Sequence, residues 1–234
     1  MSDSSAVESC GPERTSMNAD APVRRSRGRP KVEGLADQRR TQIIEAAFRV
    51  LTERGYEGTS IAEIAQEAGI GQGTVYRYVS SKRELLDHVF DWAVERLFHS
   101  VDPYSMLQDE PTSPTELLRR FQIIADRLYD LIDEDPAMLR LIGVQASAID
   151  KELKARVVGL EGMLNAVVLQ SLTQAIEHGW LVLSTAQKPV VARMLMMMSL
   201  PGVVMSLRRG IDVAQRGRYV DGAAEIALHG ILKR

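Results

Sequence analysis

The chain has 234 residues, of which 45% are hydrophobic and 26% charged, and its formal net charge is −2. These values are ordinary for a soluble globular protein. The only cysteine, Cys10, lies in a Ser-rich segment, which excludes a disulfide framework or a cysteine metal cluster and favours a cytoplasmic location. The longest nearly apolar stretch, Met194 to Leu207, is shorter than the roughly 20 residues that span a bilayer, so we expect no membrane partner.

Residues 1–36 lack helical periodicity and are rich in Ser, Pro, Gly and Arg, which predicts a disordered basic arm. Five basic residues and no acidic one lie between Arg24 and Lys31. The run from Arg27 to Lys31 resembles the core of an AT-hook, which places arginines in a narrow minor groove. A generic basic tail that adds salt-dependent DNA affinity explains the same run, and both interpretations stay open.

From Asp37 the pattern becomes helical, with an apolar face that ends at Gly55. Ser60 and Glu63 form a capping box for a short second helix, which Gly69 ends. A third helix is predicted over about Gln72 to Val79. A second capping box, Ser81 with Glu84, begins a fourth helix that reaches about Val101.

The remaining sequence also predicts helices only. Residues 102–114 contain three prolines and are predicted as a loop. Helices then follow at Ser113-Pro114, at Asp135-Pro136, over about 150–178, over about 189–209 with a kink at Pro201-Gly202, and over about 219–233. We therefore predict an all-α fold in which residues 37–97 form an N-terminal three-helix helix-turn-helix domain. Residues 98–234 form a larger helical C-terminal domain.

The spacing of apolar residues between Ser60 and Val79 predicts two short helices that share a small core. That core is formed by Ile64, Ala68, Ile70, Val75 and Tyr78, and Gly69 supplies the positive φ of the turn. One face of the second short helix is then free to enter a DNA major groove. On that face Gln72 and Thr74 can hydrogen-bond base edges, and Gly73 lets the backbone come close.

The segment from Thr59 to Leu86, TSIAEIAQEAGIGQGTVYRYVSSKRELL, resembles the DNA-binding domain of the TetR/AcrR family, and the resemblance extends over about residues 37–97. It implies base contacts at Gln72, Gly73 and Thr74. It also implies phosphate contacts at Thr59 or Ser60, Tyr76, Tyr78 and Lys82. Gly71 stands where many members have a serine N-cap, which weakens the start of the recognition helix. Both tyrosines are also open to interpretation as half-buried core residues, Tyr78 more so than Tyr76.

The resemblance further implies a C-terminal domain that binds a ligand and forms a homodimer. Helices between about 114 and 178 carry apolar residues on more than one face, so they either pack together or line a cavity for a small apolar effector. Gln145, Asn165 and Gln170 are the candidate polar groups there. The two C-terminal helices are expected to form a four-helix dimer interface that includes Leu195, Leu200, Val203, Val204, Ile226, Leu228 and Ile231.

The sequence contains no constellation typical of an enzyme, and we expect no cofactor. The four histidines, at positions 88, 99, 178 and 229, lack metal-ligand spacing, so no metal site is predicted. The leading hypothesis is a ligand-responsive transcriptional regulator, a repressor, that binds a near-palindromic operator in double-stranded DNA as a dimer. The alternatives are a helical enzyme or carrier with an appended DNA-binding module, and an architectural DNA-binding protein whose basic arm dominates.

Overall fold

The computed structural model describes residues 34–197 together with Arg218, Gly222 and Ile226. The described part is helical and contains no β-strand, which confirms the all-α prediction. The basic arm up to residue 33, with its AT-hook-like run, lies outside the described residues. The same holds for residues 198–209 of the predicted penultimate helix and for most of the predicted helix 219–233.

Three helices form the N-terminal part: α1 over Leu35–Arg54, α2 over Ile61–Glu67 and α3 over Gln72–Val75. Two glycines end α1 and α2, as predicted, because they accept the left-handed backbone that follows a helix: φ is 72° at Gly55 and 65° at Gly69. The capping box at the start of α2 is also present, with Ser60 accepting from the Glu63 amide and Glu63 accepting from the Ser60 amide.

The recognition helix α3 is shorter than predicted, because it ends at Val75 rather than Val79. Beyond it the hydrogen bonds span three residues instead of four. The Arg77 amide donates to the Thr74 carbonyl at 3.2 Å, and the Tyr78 amide donates to the Val75 carbonyl at 2.9 Å. The N-cap, Gly71, offers no side-chain hydrogen bond. A glycine and two β-branched residues then supply weak helix propensity, so the segment becomes a tight turn after one helical turn.

Helix α4 spans Lys82–Val101, and Ser81 caps it by accepting from the Glu84 amide at 3.1 Å. The predicted reciprocal half of this capping box is wrong, because the Glu84 carboxylate accepts from the Ser80 amide and hydroxyl at 2.6 Å instead. A glutamate at this position can reach back to either residue, and the preceding serine offers it two donors instead of one.

The predicted loop after α4 contains one short 3-10 helix, Pro103–Leu107, which follows a left-handed Asp102 with φ 46°. Helix α5 then covers Pro114–Glu134. Three short pieces follow: α6 over Pro136–Arg140, a π-helical turn over Leu141–Gln145 and α7 over Ala146–Ile149. Helix α8 spans Lys151–Glu177 and is followed by Gly179 at φ 72°, and residues 187–197 form helix α9.

One buried apolar cluster joins the first four helices to the segment after them. It contains Ile43 and Phe48 of α1, Val89 of α4, and Leu131 and Leu153 from α5 and α8. The domain boundary at residue 97 therefore stays a prediction, since the buried cluster crosses it. A second cluster packs α8 against α9 and the 3-10 segment around Leu172, Ala192 and Met106. None of the helices in the described part is both long and apolar enough to cross a membrane.

Candidate nucleic-acid interface

A small core fixes the orientation of α3 relative to α2. Ile64 and Val75 are fully buried, and Ala65 and Ala68 are nearly so. Ile70 and Tyr78 are half-buried and pack against the same cluster. This confirms the predicted core between the two short helices. The small side chains of the alanines let α3 approach α2 closely. The face of α3 opposite Val75 is exposed to solvent.

Polar contacts from α1, which the sequence pattern does not predict, hold this unit in place. The Gln42 side chain donates to the Ala68 carbonyl at 2.6 Å, which satisfies an acceptor at the C-terminal end of α2. Arg49 pairs with Glu67 at 2.7 Å, and Arg54 pairs with Glu63. A glutamine beside a buried helical face is too common a pattern to indicate such a contact from sequence.

The predicted base-reading residues lie together on the solvent side of α3. Gln72 and Gly73 are exposed and Thr74 is half-exposed. A methyl group built on Gly73 would meet no atom within 4 Å, so this point of the helix is open to an incoming surface. The arrangement offers an amide, a hydroxyl and a bare backbone within one helical turn, which suits hydrogen bonding to base edges.

The end of α3 carries the predicted phosphate-contacting tyrosines. Tyr76 is 50% exposed, whereas Tyr78 is half-buried against the core. Arg77 lies between them, is exposed, and makes no ion pair within the described residues. A permanent cation beside two hydroxyl groups is well suited to a phosphate backbone. Arg77 was not among the predicted contacts, and its position next to Tyr76 is the one signal for it in the sequence.

Thr59 and Ser60, at the start of α2, are the two candidates for one phosphate contact, and only Ser60 is exposed. Thr59 is 4% exposed, and its hydroxyl donates to the Gly55 carbonyl at 2.7 Å. Ser60 uses its hydroxyl in the capping box. Hydrogen bonds from the Ser60 hydroxyl and amide keep the pKa of the Glu63 carboxyl below its ordinary value. The Ser80 hydroxyl and amide lower the pKa of Glu84 in the same way, so both carboxylates remain charged and hold the residues that precede their helices.

Lys82 has partners inside the protein. Its ammonium group donates to the carbonyl oxygens of Tyr56 and Thr59 and lies 4.2 Å from the centroid of the Tyr56 ring. These contacts fasten the start of α4 to the turn between α1 and α2. Two of the three ammonium hydrogens are used in this way, which leaves one for a phosphate.

The sequence profile described as "Bacterial regulatory proteins, tetR family" matches residues 43–89. These residues hold the buried core of α1 to α4 and the exposed face of α3. Over this segment the chain is similar to the DNA-binding domain of the TetR family. The matched residues include the predicted contacts from Thr59 to Lys82, so the profile covers the whole candidate interface.

Individual relatives agree with this assignment. The HTH-type transcriptional activator FasR of Mycolicibacterium smegmatis is 30% identical over 132 residues, which are 56% of this chain and 58% of FasR. The chain thus spans little more than half the length of that relative. A TetR-family structure from Mesorhizobium loti MAFF303099 is 21% identical with a TM-score of 0.66, covering 85% of this chain and 99% of that one.

A second structural neighbour contains a ligand. The transcriptional regulator FadR from Bacillus subtilis, in complex with stearoyl-CoA, is 19% identical with a TM-score of 0.64. The comparison covers 82% of this chain and 98% of FadR. At these identities the two structures establish the fold of the helices beyond the DNA-binding domain.

Proposed function

We propose that this chain is a homodimeric transcriptional repressor that binds a near-palindromic operator and releases it when a small, mainly apolar molecule binds the C-terminal helices. The observation that carries the proposal is the exposed Gln72, Gly73 and Thr74 face of α3, held on a helix-turn-helix core whose central residues are fully buried. The major groove, about 12 Å wide, accommodates one helix presented in this way.

Each contact has a distinct role in the proposed complex. Gln72 and Thr74 hydrogen-bond base edges and carry the sequence preference. Tyr76, Tyr78 and Arg77, with Ser60 and Lys82, contact phosphates and set the register of the helix on the duplex. Thr59 supports Ser60 from the buried side through its bond to Gly55. These phosphate contacts contribute affinity that is independent of sequence and falls with salt.

One recognition helix covers only a few base pairs, which is too few to select a site in a genome. A second copy with its helix about 34–36 Å away solves this problem. Helix α9 supplies apolar surface for such a copy: Val190, Met194 and Met197 are 57%, 57% and 58% exposed and lie on one helical face. Ile226, another predicted interface residue, is 54% exposed, whereas Leu195 packs inward. The other predicted interface residues, from 200 to 231, lie outside the described part.

The effector site is proposed between α5, the π-helical turn and α8. Gln145 Oε1, Asn165 Oδ1 and Gln174 Oε1 are buried and make no hydrogen bond within the described residues. A buried acceptor without a donor costs about 1–3 kcal/mol, so a ligand that supplies donors gains affinity at these atoms. Gln170, the third predicted candidate, is exposed. A π-helical turn such as the one that ends at Gln145 frequently marks a functional site.

The proposed effector class is a long-chain acyl thioester. Its acyl chain suits the apolar faces of α5 and α8, and the pantetheine amides carry N–H donors for buried amide oxygens. The stearoyl-CoA complex of FadR supports this class. A ligand of this kind lowers DNA affinity only by preferring a conformation that fits the operator poorly. Helix α4 connects the two parts, because it follows the recognition turn and packs against the helices beyond residue 101.

The experiment begins by selecting duplexes from a random library with the full chain. The selected duplex is then titrated with wild type and with a Gln72→Ala/Thr74→Ala variant, in the presence and absence of stearoyl-CoA or free CoA. We expect a palindromic consensus, loss of preference in the variant, and release by stearoyl-CoA alone. A reporter driven by the selected site separates repression from activation. Selection without any consensus would overturn the proposal, and a consensus without release would overturn its effector half.

A further inference from the structure

Charged side chains join the start of α4 to the start of α8. Three belong to α4 and recur at one-turn intervals: Arg83, Asp87 and Asp91. The α8 side contributes Asp150, Glu152 and Arg156. We call these six residues the α4–α8 clasp. It lies directly after the candidate DNA interface, because Arg83 follows Lys82.

Arg83 holds the first turn of α8. Its Nε donates to the Asp150 carboxylate at 2.8 Å, and another guanidinium nitrogen reaches Glu152 at 3.3 Å. Asp150 is also the N-cap of α8, since its other carboxylate oxygen accepts from the Leu153 amide at 2.8 Å. The Leu153 amide, followed by Arg83, keeps the pKa of Asp150 below its ordinary value, so the N-cap is an anion. Fraying the first turn of α8 therefore also releases Arg83.

Arg156 completes the clasp from the other helix. It donates to Asp87 at 2.9 Å and to Asp91, and its guanidinium lies 4.5 Å from the centroid of the Phe90 ring. Asp87 accepts from both arginines, so the two halves share one carboxylate. Arg83 and Arg156 are only 26% and 28% exposed. Shared partners and partial burial distinguish this network from an isolated surface ion pair, which contributes little.

We infer that the α4–α8 clasp carries the coupling between DNA binding and the effector-domain helices, with Arg83 and Arg156 as positioning residues. DNA bound at α3 orders the start of α4. The ion pairs of the clasp then restrict the first turn of α8, so the free energy needed to open that turn rises. By reciprocity, whatever displaces the start of α8 shifts the start of α4 and weakens DNA binding. This inference rests on the proposed DNA-binding function.

Hydrogen exchange on the full chain, with and without a duplex selected from random sequence, tests the inference. The variant is Arg156→Gln, which removes the contacts to Asp87 and Asp91. Arg193→Gln is the matched control, because it removes an ion pair with Glu161, which like Arg156 lies on α8, and leaves the ion pairs of the clasp in place. Asp91→Asn is a milder second variant in case Arg156→Gln destabilises the fold, and Arg156→Lys retains the charge.

In wild type and Arg193→Gln, we expect the duplex to slow exchange in α1 to α4 and also, by about threefold, at residues 151–157, which lie outside the proposed interface. Arg156→Gln should keep the protection of α1 to α4 and lose the protection of residues 151–157. Asp91→Asn should reduce the protection of residues 151–157, and Arg156→Lys should retain much of it. Protection of residues 151–157 that is unchanged in Arg156→Gln and Asp91→Asn would overturn the inference. Wild type that binds DNA without this protection would overturn it while leaving the proposed function intact. Failure to bind any duplex would overturn both.

Discussion

The Lys82 ammonium nitrogen lies 2.8 Å from the carbonyl oxygen of Tyr56, across the junction between the α1–α2 turn and the start of α4. The same nitrogen lies 3.0 Å from the Thr59 carbonyl oxygen. A side chain at this position therefore acts twice in the proposed mechanism. It fastens α4 to the helix-turn-helix unit, and it offers its remaining hydrogen to a DNA phosphate.

We expect Lys82→Ala to lower both stability and DNA affinity. Loss of two charge-assisted hydrogen bonds should reduce the free energy of unfolding by about 1.5–3 kcal/mol. Loss of one phosphate contact should reduce the slope of log affinity against log salt by about one unit. Lys151, also the first residue of a helix but exposed, provides the control, and Lys151→Ala should change neither quantity. Normal stability in Lys82→Ala would contradict the fastening role.

Gln72→Ala and Thr74→Ala should each cost about 1–3 kcal/mol on the selected duplex and little on unrelated DNA, because base contacts carry the preference. Competition titrations with both duplexes measure the difference. Gln170→Ala, a change to an exposed glutamine of α8, should leave both affinities unchanged. Equal losses on the two duplexes would show that neither residue distinguishes bases.

Two glycines four residues apart, Gly69 and Gly73, should respond oppositely to replacement by alanine. Gly69→Ala forces a side chain into a backbone with φ 65° and should destabilise the fold by about 1–2 kcal/mol. Gly73→Ala adds a methyl group to open space in a helix and should stabilise it by about 0.5–1 kcal/mol. The added methyl faces the groove, so DNA affinity should fall although the protein is more stable. Denaturant unfolding and DNA titration of both variants check this.

The start of α5 should show a defined acid sensitivity. The Thr112 hydroxyl and amide, together with Arg120, lower the pKa of Glu116 from its ordinary value of 4.5 to about 2. A carboxylate with a depressed pKa stabilises the folded state above pH 4.5 and loses that contribution as pH falls towards 2. The stability difference between wild type and Glu116→Gln should therefore be constant above pH 4.5 and shrink below it. Denaturant unfolding of both proteins at a series of pH values measures this difference, and a difference that does not change with pH would contradict the expectation.

Disrupting the proposed dimer interface should lower the molecular mass of the protein in solution. Met194→Asp places a charge on the exposed apolar face of α9, and burying an unpaired charge at an interface is costly. We expect light scattering at micromolar concentration to show a dimer for wild type and a monomer for this variant. Val158→Asp introduces the same charge at a residue of α8 with the same 57% exposure and should remain dimeric. A wild-type monomer would refute the interface.

The sequence by itself determined the features that depend on neighbouring residues. Gly55, Gly69 and Gly179 end helices because only a glycine enters the left-handed region without strain. The N-caps at Ser60 and Ser81 also followed from local pattern, since a side-chain oxygen meets an amide three residues ahead. The core of α2 and α3 followed for the same reason: its members are close in sequence, and their spacing fixes their shared face.

The tertiary structure decided which of several local options was used. The Glu84 carboxylate accepts from Ser80 rather than from the Ser81 amide, because competing hydrogen bonds of similar strength differ only by their surroundings. Lys82 reaches Tyr56 across 26 residues, and Arg83 reaches Asp150 across 67. Such pairs depend on how helices are placed in space, and sequence periodicity carries no information about that placement. For this reason the sequence indicated the residues that face DNA, whereas only the fold revealed how they are held and what they are connected to.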